Sequence, residues 1–423
     1  MVQTVSVTTA PAPSGLAGYR AVWALPTVPA TLLLGVLCRI PAFALTILFL
    51  LHLVENVTPS YSRAGIITAT LTVAMSASAP WRGHLLDKQG LRATMPPSII
   101  VLVPTYLVMG LVDNYWVLLV CAMVAGGLAF PTFSVIRQVL IGASPVALRK
   151  TTIALDSTIT ELCFMIGPAL AIWLATAWST RGALLVFAML SVVGAVALTI
   201  ANPSIIDQHL SDEDAPAGHR FSWVNVRVLG ILLAVMGCGF VLSGTDLGVV
   251  AGLRDLGRPG LIGVVLAAWG LGSAAAGLAY GALHRPIPVT WLLVGLGATT
   301  IPVMFANSVW TFAAILMVAG IFCAPTLVAA VDQLQQAVPP RFRGQAMGWQ
   351  GTAITIGNAS APPLVGWTID HQGWRTGFLV TGAAGLVAGL LLLVAIAVRR
   401  HQLRRRRGAV TLGPDLPPDA ASS

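Results

Sequence analysis

Charge is what this sequence has least of. Aspartate, glutamate, lysine and arginine make up 9% of the 423 residues, while hydrophobic side chains make up 56%. A water-soluble globular domain cannot cover its surface with so few charged groups, so the solvent for most of the chain is lipid. The net charge of +9 does not point to nucleic acid, because the basic residues sit in short connections between apolar runs, where they report orientation. Cysteine is sparse too. Cys38, Cys121, Cys163, Cys238 and Cys323 each fall inside an apolar run with no pair at metal-ligand or redox spacing, which leaves them as small packing residues. No nucleotide-binding loop, no His/Cys/Asp metal cluster and no aspartate-rich diphosphate site is present, so neither an ATP-driven pump nor a cofactor-dependent enzyme is expected, and no cofactor. Residues 1–28 hold Pro11, Pro13, Gly15 and Gly18 with one arginine and lack the pattern of a cleaved signal. The first span is expected to remain as an uncleaved anchor.

What is abundant is apolar sequence in helix-length runs. About twenty residues cross a hydrocarbon core of about 30 Å, and twelve segments qualify. They are 29–53, 62–80, 94–112, 115–140, 151–175, 181–201, 224–252, 259–282, 287–307, 309–336, 345–369 and 376–398. If the N-terminus is cytoplasmic, seventeen basic residues fall in the inside segments, among them Arg82, Arg149, Arg285 and Arg404 to Arg407, against five outside: Arg63, Arg181, Arg254, Arg258 and Arg375. That asymmetry places both termini inside. Residues 202–223, with Asp207, Asp212, Glu213 and Asp214, are polar enough for a cytoplasmic linker, and the stretch from 399 to 423 reads as a basic, then Pro-rich tail.

The chain also repeats itself. At an offset of 194, residues 123–181 match 317–375 without a gap at fifteen positions, where composition alone gives roughly four or five. Gly126 aligns with Gly320, Pro131-Thr132 with Pro325-Thr326, Arg149 with Arg343, Pro168 with Pro362 and Arg181 with Arg375. An offset of six spans keeps each matched segment in the same membrane orientation. The expected fold is therefore an all-α polytopic membrane protein of twelve transmembrane helices in two parallel six-helix repeats, residues 29–201 and 224–398.

Between the second and third spans lies Gly83-His84-Leu85-Leu86-Asp87-Lys88-Gln89-Gly90-Leu91-Arg92. Glycine, aspartate four residues later, a basic residue, glycine and a basic residue resemble the signature loop of the major facilitator superfamily. Gly83 suits close helix approach, Gly90 a tight turn, and Asp87 a charge contact with a helix N-terminus or with Arg137. The second half keeps only Gly281 and Arg285 of this element, and Pro339 to Gly344 resembles the basic loop the family has between its tenth and eleventh helices. Gly167-Pro168 in the fifth span is similar to the core of the motif of proton-driven antiporters, although Ala171-Ile172 stands where a glycine pair is expected. The arginine many drug antiporters carry in the fourth span falls near Ala122 here. The resemblance covers about residues 29–398 and implies a secondary transporter working by alternating access.

Ionisable groups inside the membrane need a partner, a wet cavity or a role. Arg39 and Glu161 each sit ten residues into a span, at about 15 Å depth. Asp156, Ser157, Thr160 and Glu161 give the fifth span a polar face that cannot meet lipid. Glu161, Asp156 and Arg39 are the candidates for proton coupling, against the plainer reading of a static Arg39 to Glu161 pair. Gly83, Asp87, Lys88, Gly90, Arg92, Arg137 and Asp332 are candidates for gating. Asp332, an acid at a helix C-terminus, is expected to meet Arg82, Arg149 or Arg285. Arg39, Thr160, Asp246, Trp349 and Gln350 are candidates for the substrate cavity. The function expected is proton-coupled efflux of a small organic molecule by a monomer in the cell inner membrane. Proton-coupled import or uniport of an anionic solute remains open, since Arg39 suits a carboxylate, as does a lipid-handling protein or membrane enzyme.

Overall fold

A computed structural model describes residues 16–145, 148–202, 223–281, 287–339 and 342–410. Every one of the twelve expected spans is helical in it, and no strand occurs among the described residues. After a short α1 (Leu16–Trp23), the first half comprises α2 (Val28–His52), α3 (Tyr61–Gln89), α4 (Leu91–Leu111), α5 (Tyr115–Gly127), α6 (Thr132–Ala143), α7 (Arg149–Ala177) and α8 (Thr180–Ala201). The second half comprises α9 (Val226–Asp255), α10 (Ile262–Gly281), α11 (Val289–Thr300), α12 (Val309–Gly320), α13 (Cys323–Ala337), α14 (Arg343–Gln372) and α15 (Trp374–Val410).

Local sequence explains most helix starts. Ser60, Asn114, Ser179, Asn225 and Ser308 each accept a hydrogen bond from a backbone N–H in the first turn of the following helix. Gly90, at φ +74°, turns the chain from α3 into α4 in a left-handed conformation that glycine adopts without strain. Eight spans are long and apolar enough to cross a bilayer on those grounds alone. The other four are α3 and α14, which are less apolar along their length, and the shorter α5 and α11. Exposed Ile100, Trp116, Trp178, Ile200 and Trp310 fit a lipid-facing outer surface.

The internal repeat survives as geometry. Tyr115 and Val309, Arg149 and Arg343, and Thr180 and Trp374 all begin helices, and each pair stands 194 residues apart. Two spans expected to be continuous are broken at matching places, α5 from α6 after Gly127 and α12 from α13 after Gly320. Just before each break a glycine permits backbone contact with the repeat-equivalent neighbour. A Cβ on Gly126 would lie 2.3 Å from the Leu71 carbonyl oxygen of α3, and one on Gly320 would lie 2.2 Å from the Trp269 carbonyl oxygen of α10. The same device joins the halves: Gly65 and Gly366 seat α3 against α14, and Gly263 seats α10 against α7. The basic tail is helical as far as Val410, and the linker from 203 to 222 lies outside the described residues.

Candidate functional site

In the first half, a buried charge cluster joins α2, α6 and α7. The Arg39 and Asp156 side chains are each 1% exposed, with Nη1 of Arg39 2.7 Å from Oδ1 of Asp156. Neither atom makes a well-aligned hydrogen bond, so the approach is a close charge contact without good hydrogen-bond angles. Arg137, half exposed, adds its Nε at 3.4 Å from the second carboxylate oxygen. Two guanidiniums thus converge on one carboxylate. Around Asp156 on α7, Thr160 donates to the Asp156 carbonyl and Thr152 bonds with Ser144.

Arg39 meets Asp156, a contact not singled out in the sequence, while the expected pair with Glu161 involves a side chain outside the described residues. Helical side chains lean toward the N-terminus, and Nη1 of Arg39 lies 3.4 Å from where a Gly35 Cβ would stand, one turn back along α2. That reach sets the guanidinium beside Asp156. Glu161 is on α7, but its side chain lies outside the described residues, as does that of Asp87.

Beyond the cluster, in the middle and toward the face opposite the termini, both halves enclose a cavity of about 530 Å³. An aromatic chain leads along it from the charges: Arg39 stands 5.5 Å from the Phe133 ring centroid, and Phe133, Phe43, Phe164 and Trp269 follow in successive edge contacts of 5.5, 5.3 and 6.1 Å. The last step passes from α7 to α10, one half to the other. Of the side chains expected in the cavity, Asp246 lines it. Arg39, Thr160, Trp349 and Gln350 do not. Arg39 is held behind Phe133, Gln350 is buried, and Trp349 lies near the start of α14. Phe43, Phe133 and Asn358 line the wall without having been singled out in the sequence; aromatic residues in apolar spans carry no signal that separates cavity from core.

At the face away from the termini the halves are tied together. Asp370, at the end of α14, accepts from Ser60 Oγ at 2.6 Å, from the Tyr61 N–H at 2.7 Å and from the Ser62 N–H at 2.9 Å. A carboxylate of one half therefore caps the first turn of α3 in the other, where the helix dipole favours negative charge. Glu55 faces Arg254 at 3.1 Å across the same seam and accepts from Thr180. Asp370 was missed, yet an acid in the last turn of a helix, opposed by the dipole, is the signal that singled out Asp332.

At the face bearing the termini, no ion pair joins the halves among the described residues. Asp332 accepts from Gln336 of its own helix, Arg82 donates to the Ala129, Met75 and Ser78 oxygens of its own half, and Arg149 donates to the Ser144 carbonyl. Arg285 lies outside the described residues. Arg137 likewise stays within its half, paired to Asp156. Gly83, read as a point of close helix approach, has no atom within 4 Å of a would-be Cβ, and neither do Gly348 and Gly351 on α14. Lys88 and Arg92 flank the Gly90 turn, exposed.

Two six-helix halves around a central cavity, tied together at the face away from the termini, define the architecture of a membrane transporter. The chain belongs to the Major Facilitator Superfamily, whose family model matches residues 31–253 and 229–418. It is 26% identical over 372 residues to the gentisate transporter of Corynebacterium glutamicum, covering 81% of each chain. Over 110 residues it is 34% identical to the drug efflux pump JefA of Mycobacterium tuberculosis, 26% of this chain and 21% of that one. The nucleoside transporter NupG shares the fold at a TM-score of 0.67 and 14% identity, over 87% of this chain and 98% of that one. These likenesses are to transporters of small organic molecules and not to enzymes.

Proposed function

We propose that the chain is a proton-coupled exporter of a small organic molecule, with Asp156 and Arg39 as the coupling pair and Glu161, five residues further along α7, as the second carboxylate. The buried contact of 2.7 Å between Arg39 and Asp156 carries this reading. Protonating Asp156 would leave Arg39 buried with its charge uncompensated, a state costing several kcal/mol, so the proton cannot arrive without rearrangement. The aromatic chain from Phe133 to Trp269 is the packed route by which that rearrangement reaches the second half. Gly83, Asp87, Lys88, Gly90, Arg92, Arg137 and Asp332 form the gate that closes when the termini-bearing face comes together. The excess of basic residues at that face supports a cytoplasmic position in an inner membrane, and on this reading the described state faces inward and suits loading from inside. Partial likeness to a drug efflux pump agrees with export.

The test is flux in reconstituted vesicles under an imposed pH gradient. Asp156→Asn is expected to abolish uphill movement while preserving downhill exchange. Uphill transport by Asp156→Asn with the wild-type pH profile would make the pair structural and move coupling to Glu161.

A second reading, in which the substrate is an organic acid, is favoured by the likeness to the gentisate transporter and by the two guanidiniums that share one carboxylate. A substrate carboxylate would then replace Asp156 between Arg39 and Arg137. Arg137→Gln should abolish transport of organic acids on this reading and leave other substrates moving.

A further inference from the structure

We infer that the molecule carried is an organic cation, an amine with an aromatic or aliphatic body, whose charged group pairs with Asp246. This rests on the reading of the central cavity as the transport path, and it names what the cavity selects.

Asp246 is the one charged side chain among the described residues lining the cavity. It lies on α9 toward the latched, blind end and is joined by no hydrogen bond or ion pair, in contrast to Asp156, Asp370 and Glu55, each of which has a partner in the protein. A carboxyl this deep in a membrane protein takes a counter-charge or a proton, and among the described residues the wall supplies no counter-charge. No lysine, arginine or histidine among the described residues lines the cavity, and Arg39 is already bound to Asp156 behind the Phe133 ring.

Neutral polar groups on the wall point the same way. Thr46, Thr68 and Thr72 spend their hydroxyl protons on carbonyls of their own helices, at 3.2, 3.0 and 2.9 Å, so each turns an acceptor oxygen to the cavity. Asn358 holds a buried Oδ1 with no partner. The remaining donors are uncharged, the hydroxyls of Tyr106, Ser191 and Ser243 among them. An anion would meet a like charge and neutral donors; a cation meets a carboxylate, spare acceptors and the aromatic rings of Phe43 and Phe164 on the wall. The volume suits a small drug-sized body.

Three probes of matched size separate charge from shape: 1-naphthylmethylammonium, 1-naphthoate and 1-naphthalenemethanol. Binding to the purified protein is measured by calorimetry, independently of flux. The ammonium should bind about tenfold or more tightly than the naphthoate, and Asp246→Asn should weaken it by about tenfold while leaving the neutral alcohol unchanged. Asp246→Glu should recover the preference, and unaltered melting temperatures show that both variants fold. Tighter binding of naphthoate, or an ammonium affinity indifferent to Asp246→Asn, overturns the assignment and leaves the carrier reading standing. Binding of none of the three overturns both.

Discussion

Asp370 offers the sharpest way to perturb the carrier without touching its cavity. Its carboxylate accepts three hydrogen bonds from Ser60, Tyr61 and Ser62 of the opposite half, contacts that opening of this face would break. Loss of an N-cap costs about 0.5–2 kcal/mol. Loss of a charge at a helix N-terminus costs about 0.3–1 kcal/mol more, and because Asp370 is exposed, water recovers part of both. A net bias of about 1–2 kcal/mol remains, which shifts the ratio of closed to open by about 5- to 30-fold. Asp370→Ala should therefore populate the state open at this face, with Asp370→Asn intermediate because the amide keeps one acceptor. Spin labels on exposed Trp116 and Trp310, which start the repeat-equivalent helices α5 and α12, read the separation by pulsed electron resonance. A longer-distance population should grow in the order wild type, Asp370→Asn, Asp370→Ala. Identical distance distributions in all three would show that the cap contributes nothing to the latch.

Arg39→Ala strands Asp156 with only the longer Arg137 contact and should lower stability by about 3–5 kcal/mol, read as a fall in melting temperature. Replacing Arg39 and Asp156 together with Met and Leu should recover most of that loss. Gly126→Leu drives a side chain into the Leu71 carbonyl and should prevent folding into a stable protein, whereas Gly348→Leu, which meets open space, should fold normally and slow turnover by obstructing closure. Cysteines at Arg149 and Asp332 should crosslink readily in Asp370→Ala and poorly in wild type, if closing the termini-bearing face brings them together.

The global design was readable in the sequence because it rests on composition and repetition. Helix starts 194 residues apart are the direct counterpart of the matched segments. The breaks after Gly127 and Gly320 were marked by glycine and proline, yet apolar length concealed them: 115–140 reads as one span because hydropathy is blind to backbone direction. The polar face of α7 followed from helical spacing, and so did the need for a partner to Arg39. Which carboxylate it met did not follow, because counting residues fixes the depth of a Cα while a long side chain ends about a turn nearer the helix N-terminus. Asp370 illustrates the remaining limit. Its ligands come from residues about 310 positions earlier in the chain, and no local pattern encodes that pairing.

The most direct test of the account is whether the organic molecule and the proton exchange. Vesicles containing the protein and an internal pH dye are given a gradient of 1-naphthylmethylammonium and no pH gradient. The account predicts that outflow of the ammonium through wild-type protein drives protons the opposite way, acidifying the interior, and that Asp156→Asn passes the ammonium with no change in pH. Ammonium flux through wild-type protein without proton movement, or with protons travelling in the same direction, would contradict proton-coupled export.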